Sequence, residues 1–216
     1  MVNILSTSNS IINQFIAEIR DVEVQKDSLK FRNNLERLGE LFAYEISKEL
    51  EYERKEVITS LGTAVVPVLK NYPVLAAILR AGLPFHQGFL NVFDKSENAF
   101  VSAYRKYHKD HSFTIQVEYA SMPEIEGKIL ILCDTMLATG ASAVLTYKEL
   151  IANGQPSHTY IVSILASQEG LSYLKRNLPR KNISIWVGTV DDELTAQAYI
   201  VPGLGDAGDL AFGKKI

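Results

Sequence analysis

Five apolar residues, Ile129 to Cys133, end at a single acid, Asp134; a loop of small residues follows, and then a helical run from Ala143 to Ala152. Strand, loop and helix in that order gather unpaired backbone N–H groups and the positive end of a helix dipole at one point, which suits a phosphate. The loop reads Thr135, Met136, Leu137, Ala138, Thr139, Gly140, Ala141, Ser142. Thr139 and Ser142 add hydroxyl groups, and Gly140 lets the backbone approach a ligand closely. Asp134 cannot hold phosphate but can accept hydrogen bonds from sugar hydroxyls beside it. A sugar phosphate therefore fits better than a nucleoside triphosphate. No Lys follows Gly140, so the loop is not a Walker P-loop.

A second unusual stretch lies at residues 199–213. Gly203, Gly205, Gly208 and Gly213 stand there with Pro202 among apolar residues. This composition predicts no regular helix or strand, and backbone laid against a flat ligand. The one cysteine, Cys133, reads as a buried packing thiol, and His86, His108, His111 and His158 have no metal-ligand spacing. Asp191, Asp192 and Glu193 read as an acidic surface turn leading into the tail.

The elements that must position these residues follow from periodicity. Apolar residues at Phe31, Leu35, Leu38, Phe42, Ile46 and Leu50 mark an amphipathic helix over 29–50, with Asp27 or Ser28 as its N-cap. A shorter helix is expected at 11–19, and residues 51–56 read as a solvated helix end, so the N-terminal helical segment spans about residues 10–55. Strands are expected at 74–79, 129–133, 159–166 and 183–190, and helices at 84–92, 143–152 and 168–178. Period-two alternation at 100–105 and 114–119 predicts a hairpin arm, about residues 100–120, with a polar tip at Lys109 and Asp110. Alternating strands and helices give an α/β fold with a parallel sheet flanked by helices, and such sheets bind ligands beyond the carboxyl ends of their strands. Arg80, Asp134 and Asp191 all fall at such ends.

The 216 residues suit one α/β domain spanning 1–216 with small appendages, and 47% hydrophobic residues supply its core. A net charge of −3 without Lys/Arg clusters argues against nucleic acid as a partner. One cysteine excludes a disulfide framework and fits a cytoplasmic setting. No signal peptide, transmembrane segment or internal repeat is expected.

Together these residues resemble the uracil phosphoribosyltransferases, a type I phosphoribosyltransferase family that makes UMP from uracil and phosphoribosyl diphosphate (PRPP). The resemblance rests on Phe31-Arg32 and Tyr44-Glu45 in the first long helix, on Ile78 to Leu83 as a diphosphate loop, and on Tyr104-Arg105 at the start of the arm. It rests above all on residues 134–142 as a PRPP loop and residues 199–209 as a uracil loop within a base-binding region of about 191–213. It implies that Arg80, Ala81, Gly82 and Arg105 meet the diphosphate, that Asp134 holds the ribose hydroxyls, and that residues 135–142 wrap the 5′-phosphate. It further implies that Ile200, Gly205 and Ala207 touch uracil through backbone groups and that Asp206 faces the ribose and reacting centre. Asp206, Arg105 and Asp134 are then the candidate catalytic groups.

The resemblance implies that Mg²⁺ is carried in with PRPP rather than held by protein metal ligands. It also implies a homodimer or higher homo-oligomer, with GTP as a candidate effector. The chain departs from the family's usual pattern at Thr135 (usually Pro), Ala141 (usually Gly), Pro84 (commonly Gly), Ser60 (commonly Pro) and Lys106-Tyr107-His108 (usually acidic). The rival reading is a uracil- or PRPP-sensing regulator on the same fold. Another base, such as a purine or orotate, is a third; orotate would need a cation that the apolar tail does not supply.

Overall fold

The computed structural model describes residues 2–107 and 113–215, and the side chains of all of these except 103–107 and 113–117. In chain order the elements are β1 (Val2–Ile4), α1 (Ile11–Arg20), α2 (Ser28–Ser47), β2 (Tyr52–Thr59), β3 (Gly62–Leu69), β4 (Val74–Leu79), α3 (Gly82–Val92), β5 (Asn98–Tyr107) and β6 (Phe113–Ser121). They continue with β7 (Ile129–Leu137), α4 (Ala141–Ile151), β8 (His158–Ser167), α5 (Gln168–Asn177), β9 (Ile183–Asp191), β10 (Glu193–Leu194), β11 (Ile200–Val201) and α6 (Ala207–Phe212).

The central sheet runs β1-β9-β8-β7-β4-β5-β6 among the described residues. Its pairings are parallel except the last, where β6 returns antiparallel to β5 as the arm. The tip of the arm, with Lys109, Asp110, His108 and His111, lies outside the described residues. Both faces of the sheet are covered, which is why its strands read as continuous apolar runs. Along β7, Ile131 and Cys133 pack with α1, α2 and α3, whereas Leu130 and Leu132 pack with α4 and α5.

The periodicity of residues 29–50 forms α2 much as expected. Phe31, Leu35, Leu38, Phe42 and Ile46 are buried, and the Asp27 carboxylate accepts from the backbone N–H groups of Leu29 and Lys30 at 2.9 and 3.0 Å. Residues 52–56 overturn the expected helix end. They open strand β2, which pairs with β3 from Tyr52–Leu69 to Thr59–Gly62. The β-branched residues Val57, Ile58, Thr59, Thr63, Val65 and Val66 favour this pleated ribbon over a helix.

Candidate active site

The carboxyl ends of β4 and β7, the start of α4 and the C-terminal segment surround one cleft of about 160 Å³. Arg80, Ala81, Asp134, Thr135, Met136, Ala138 and Ser142 line one side, and Ile200, Gly205, Asp206 and Ala207 the other. A smaller cavity of about 50 Å³ opens beside it, lined by Leu137, Thr139, Gly140 and Ala143 together with Asp134, Met136, Ala138 and Ser142. It is of the size of a phosphate group and lies at the N-terminus of α4, where free N–H groups and the dipole favour an anion. Gly140 is the left-handed N-cap of α4, with φ 77°. A Cβ on it would lie 2.6 Å from Leu174 Cδ1 and 2.8 Å from the Gly170 carbonyl oxygen, so the turn needs glycine.

The expected strand end is corrected here. β7 does not stop at Asp134 but runs on to Leu137, held by parallel pairing with β8 as far as Leu137–Ala166. Thr135 is 1% exposed in this extension, so the strand places it where the family's usual Pro would stand. The irregular loop is only Ala138 to Gly140, and α4 begins at Ala141, two residues before the expected Ala143.

Asp134 is half-buried in β7, accepts from the Met136 N–H at 3.4 Å, and has its carboxyl pushed up to about 6. Burial drives that rise, against hydrogen bonds from the backbone of Met136 and Thr135 that lower it. Neighbouring Cys133 is fully buried, and burial holds its thiol well above the usual range. Gly82 and Ala141 line neither cavity. Gly82 packs α3 onto β7, a Cβ there falling 2.9 Å from the Cys133 carbonyl oxygen. The Ala141 N–H donates to Thr139 Oγ1 at 3.4 Å. Arg105 lies in β5 opposite Ile115, and its side chain is outside the described residues.

The tail also differs from expectation, because residues 207–212 form the short helix α6. Asp206 is its N-cap, accepting from the Asp209 N–H at 2.9 Å. Two acids three residues apart are a helix-start signal that outweighs the glycines around them. Asp209 in turn accepts from Arg80 Nη2 at 2.9 Å, and Arg80 Nη1 donates to the Gly213 carbonyl at 3.1 Å. The peptide before Arg80 is cis.

Asp191 is not a surface turn. It is 8% exposed and receives both Nη groups of Arg20, at 2.8 and 2.9 Å, and the Gly203 N–H at 3.0 Å. Arg32 reaches the Ala211 carbonyl at 2.7 Å. Arginines from α1, α2 and the end of β4 thus pin the tail. Arg20 carries no motif signal, and Asp209 stands only as the last residue of the uracil-loop resemblance, since their partners lie 171 and 129 residues away in sequence.

β11 pairs antiparallel with β10, with Leu194 opposite Ile200. The Thr195 N–H already donates to the Tyr199 carbonyl at 2.8 Å. Pairs alternate along such a ladder, so Ile200 falls at a non-hydrogen-bonded position and its backbone polar groups turn away from β10. Ile200 is buried in the cleft wall. Its carbonyl packs against Gly203, where a Cβ would fall 2.1 Å from the oxygen, so the turn after β11 needs glycine.

The family model for uracil phosphoribosyltransferase matches residues 6–214. The uracil phosphoribosyltransferase of Porphyromonas gingivalis is 51% identical over 212 residues, 98% of each chain, and that of Pyrococcus furiosus is 36% identical over 95% of this chain and 87% of that one. Among solved structures, the AQ2163 protein from Aquifex aeolicus superposes with a TM-score of 0.88 at 32% identity over the whole of both chains. A hypoxanthine phosphoribosyltransferase from Staphylococcus aureus, at 15% identity and a TM-score of 0.51 over 86% of this chain and 83% of that one, shares the fold alone. With its cleft built from the residues that carried the resemblance, the chain belongs to the uracil phosphoribosyltransferase family.

Proposed function

We propose that this protein transfers the 5-phosphoribosyl group of Mg²⁺–PRPP to N1 of uracil, giving UMP and diphosphate, a pyrimidine-salvage reaction. The observation that carries this reading is the cleft lined by Asp134 on one side and by Ile200, Gly205, Asp206 and Ala207 on the other, with the phosphate-sized cavity of α4 beside it. The 5′-phosphate takes the cavity at the α4 N-terminus. Asp134 accepts from the ribose hydroxyls and holds C1 toward the tail.

The bond from C1 to the diphosphate oxygen breaks as the N1–C1 bond forms, and the N1 proton leaves with a water or a cleft carboxylate. Positive charge grows on the sugar, and Asp206 on the cleft wall is placed to stabilise it. Negative charge grows on the leaving diphosphate, which the positive charges of Arg80 and Arg105 stabilise. Mg²⁺ enters as part of the substrate. The substrate phosphates and water would supply most of the oxygen ligands that this cation accepts.

The sensor reading would keep the cleft without turnover, and nothing in the geometry favours it. Association into a homodimer or larger assembly belongs to the proposal, supported by exposed apolar residues on the β2–β3 hairpin, where Ile58 is 89% and Leu61 98% exposed. A cytoplasmic location and a GTP response belong to it on resemblance; among the described residues no helix is long and apolar enough to cross a membrane.

The test is UMP formation from uracil, PRPP and Mg²⁺ by the protein and by Asp206→Asn. Asn caps helices as well as Asp, so α6 survives the change while the charge is lost. Turnover should fall at least about 100-fold in the variant, the scale of losing one preorganised electrostatic group. Full activity in the variant removes Asp206 from the chemistry. Absence of UMP from the unaltered protein removes the transferase reading.

A further inference from the structure

The cleft must hold a ligand with phosphate at both ends, yet the cations facing it among the described residues are Arg80 and Lys215. The two are not equivalent. Arg80 is already engaged by Asp209 and the Gly213 carbonyl, and it lies so close over Gly208 that a Cβ there would sit 3.3 Å from Nη2. Lys215 has no ion-pair or hydrogen-bond partner among the described residues. Asp134 and Asp206 line the same cleft. Their charges balance the two cations, and Asp209 behind Arg80 tips the group to net negative. A polyanion entering such a site needs an unpaired positive charge aimed at it.

Position says which phosphates Lys215 would meet. It lines the larger cleft but not the small cavity at the start of α4. Gly213, two residues before it, is bonded to Arg80. Two residues of chain span at most about 7 Å, so Lys215 is held on the Arg80 side.

We propose that Lys215 is a diphosphate-binding residue: its ammonium group supplies the mobile positive charge at the leaving-group end, while Asp209 and Gly213 hold Arg80 in place beside it. The proposal rests on the transferase reading for the name of its ligand. Lys214 is exposed and does not line the cleft, so it serves as the control.

The experiment compares the unaltered protein with Lys215→Gln, Lys215→Arg and Lys214→Gln, in steady-state kinetics and in calorimetric titration with magnesium diphosphate. Loss of one charge-assisted contact should raise the KM for PRPP and the Kd for diphosphate by about tenfold in Lys215→Gln. The KM for uracil and the melting temperature should stay unchanged, and Lys215→Arg should recover most of the affinity. Equal diphosphate affinity in Lys215→Gln overturns the proposal. So does equal weakening by Lys214→Gln, because any charge on the tail would then serve. The titration reads Lys215 even if the protein makes no UMP, so the two readings fail separately.

Discussion

The phosphate cavity and the base-side tail face each other across one cleft but are held by different means. Residues 134–142 take their shape from backbone: β7 feeds a three-residue turn and α4, the pairing with β8 fixes the register, and the turn packs on the backbone of Gly170. Residues 191–213 take theirs from a distance, through Arg20 on Asp191, Arg32 on Ala211 and Arg80 on Asp209. A site held by backbone pairing does not depend on any one remote ion pair. A site pinned by remote side chains moves when any pin is removed, and this one joins the base wall to the diphosphate loop through Arg80.

The largest effect should come from the tail's buried pin. Asp191→Ala leaves the Arg20 guanidinium without its carboxylate and the Gly203 N–H without an acceptor. Removing one partner of a buried pair costs roughly 3 kcal/mol, and at this chain length each kcal/mol moves Tm by about 2–4 °C. Thermal unfolding should show that fall, and kinetics should show the KM for uracil rising more than the KM for PRPP. If both constants rise equally, the tail is not separately held.

A smaller effect, opposite in sign for stability, is expected on the phosphate side. The Asp134 carboxyl sits at about 6, above its usual 3.8, because burial disfavours its charge. The folded protein therefore keeps a proton that the unfolded chain gives up, so this group's stabilising contribution is lost as pH rises from about 4 through about 6. Asp134→Asn should abolish that dependence and raise the Tm of the ligand-free protein at pH 7 by a few degrees, on the order of 1–2 kcal/mol. The same variant should bind PRPP poorly at every pH, whereas the unaltered protein should lose PRPP affinity as pH falls through about 6. A PRPP affinity unchanged by the variant would detach Asp134 from the ribose.

The contrast also explains what could be read from residues alone. The strand, acid, glycine turn and helix of the phosphate cavity are local, and their order was legible with errors of a few residues. Those errors came from tertiary pairing: β8 draws Thr135, Met136 and Leu137 into β7, and no local signal marks that extension. The tail was legible as unusual, and Ile200, Gly205, Asp206 and Ala207 do line the cleft. Its short helix was missed because glycines masked the acid pair at 206 and 209. Asp191 was misread because its partner comes from α1. The β2–β3 hairpin was missed because Glu, Arg and Lys dominate its first half, as they would a solvated helix, while Val57 to Thr59 carry the strand signal.

The most direct test of the central claim, that the tail selects uracil through its backbone opposite a sugar-phosphate site, is kcat/KM for nucleotide formation with uracil, cytosine, orotate and hypoxanthine in turn. Uracil should be used, and cytosine, whose amino group would face a backbone donor, should be disfavoured by roughly 10⁴-fold or more. Comparable turnover of cytosine or hypoxanthine would contradict the claim.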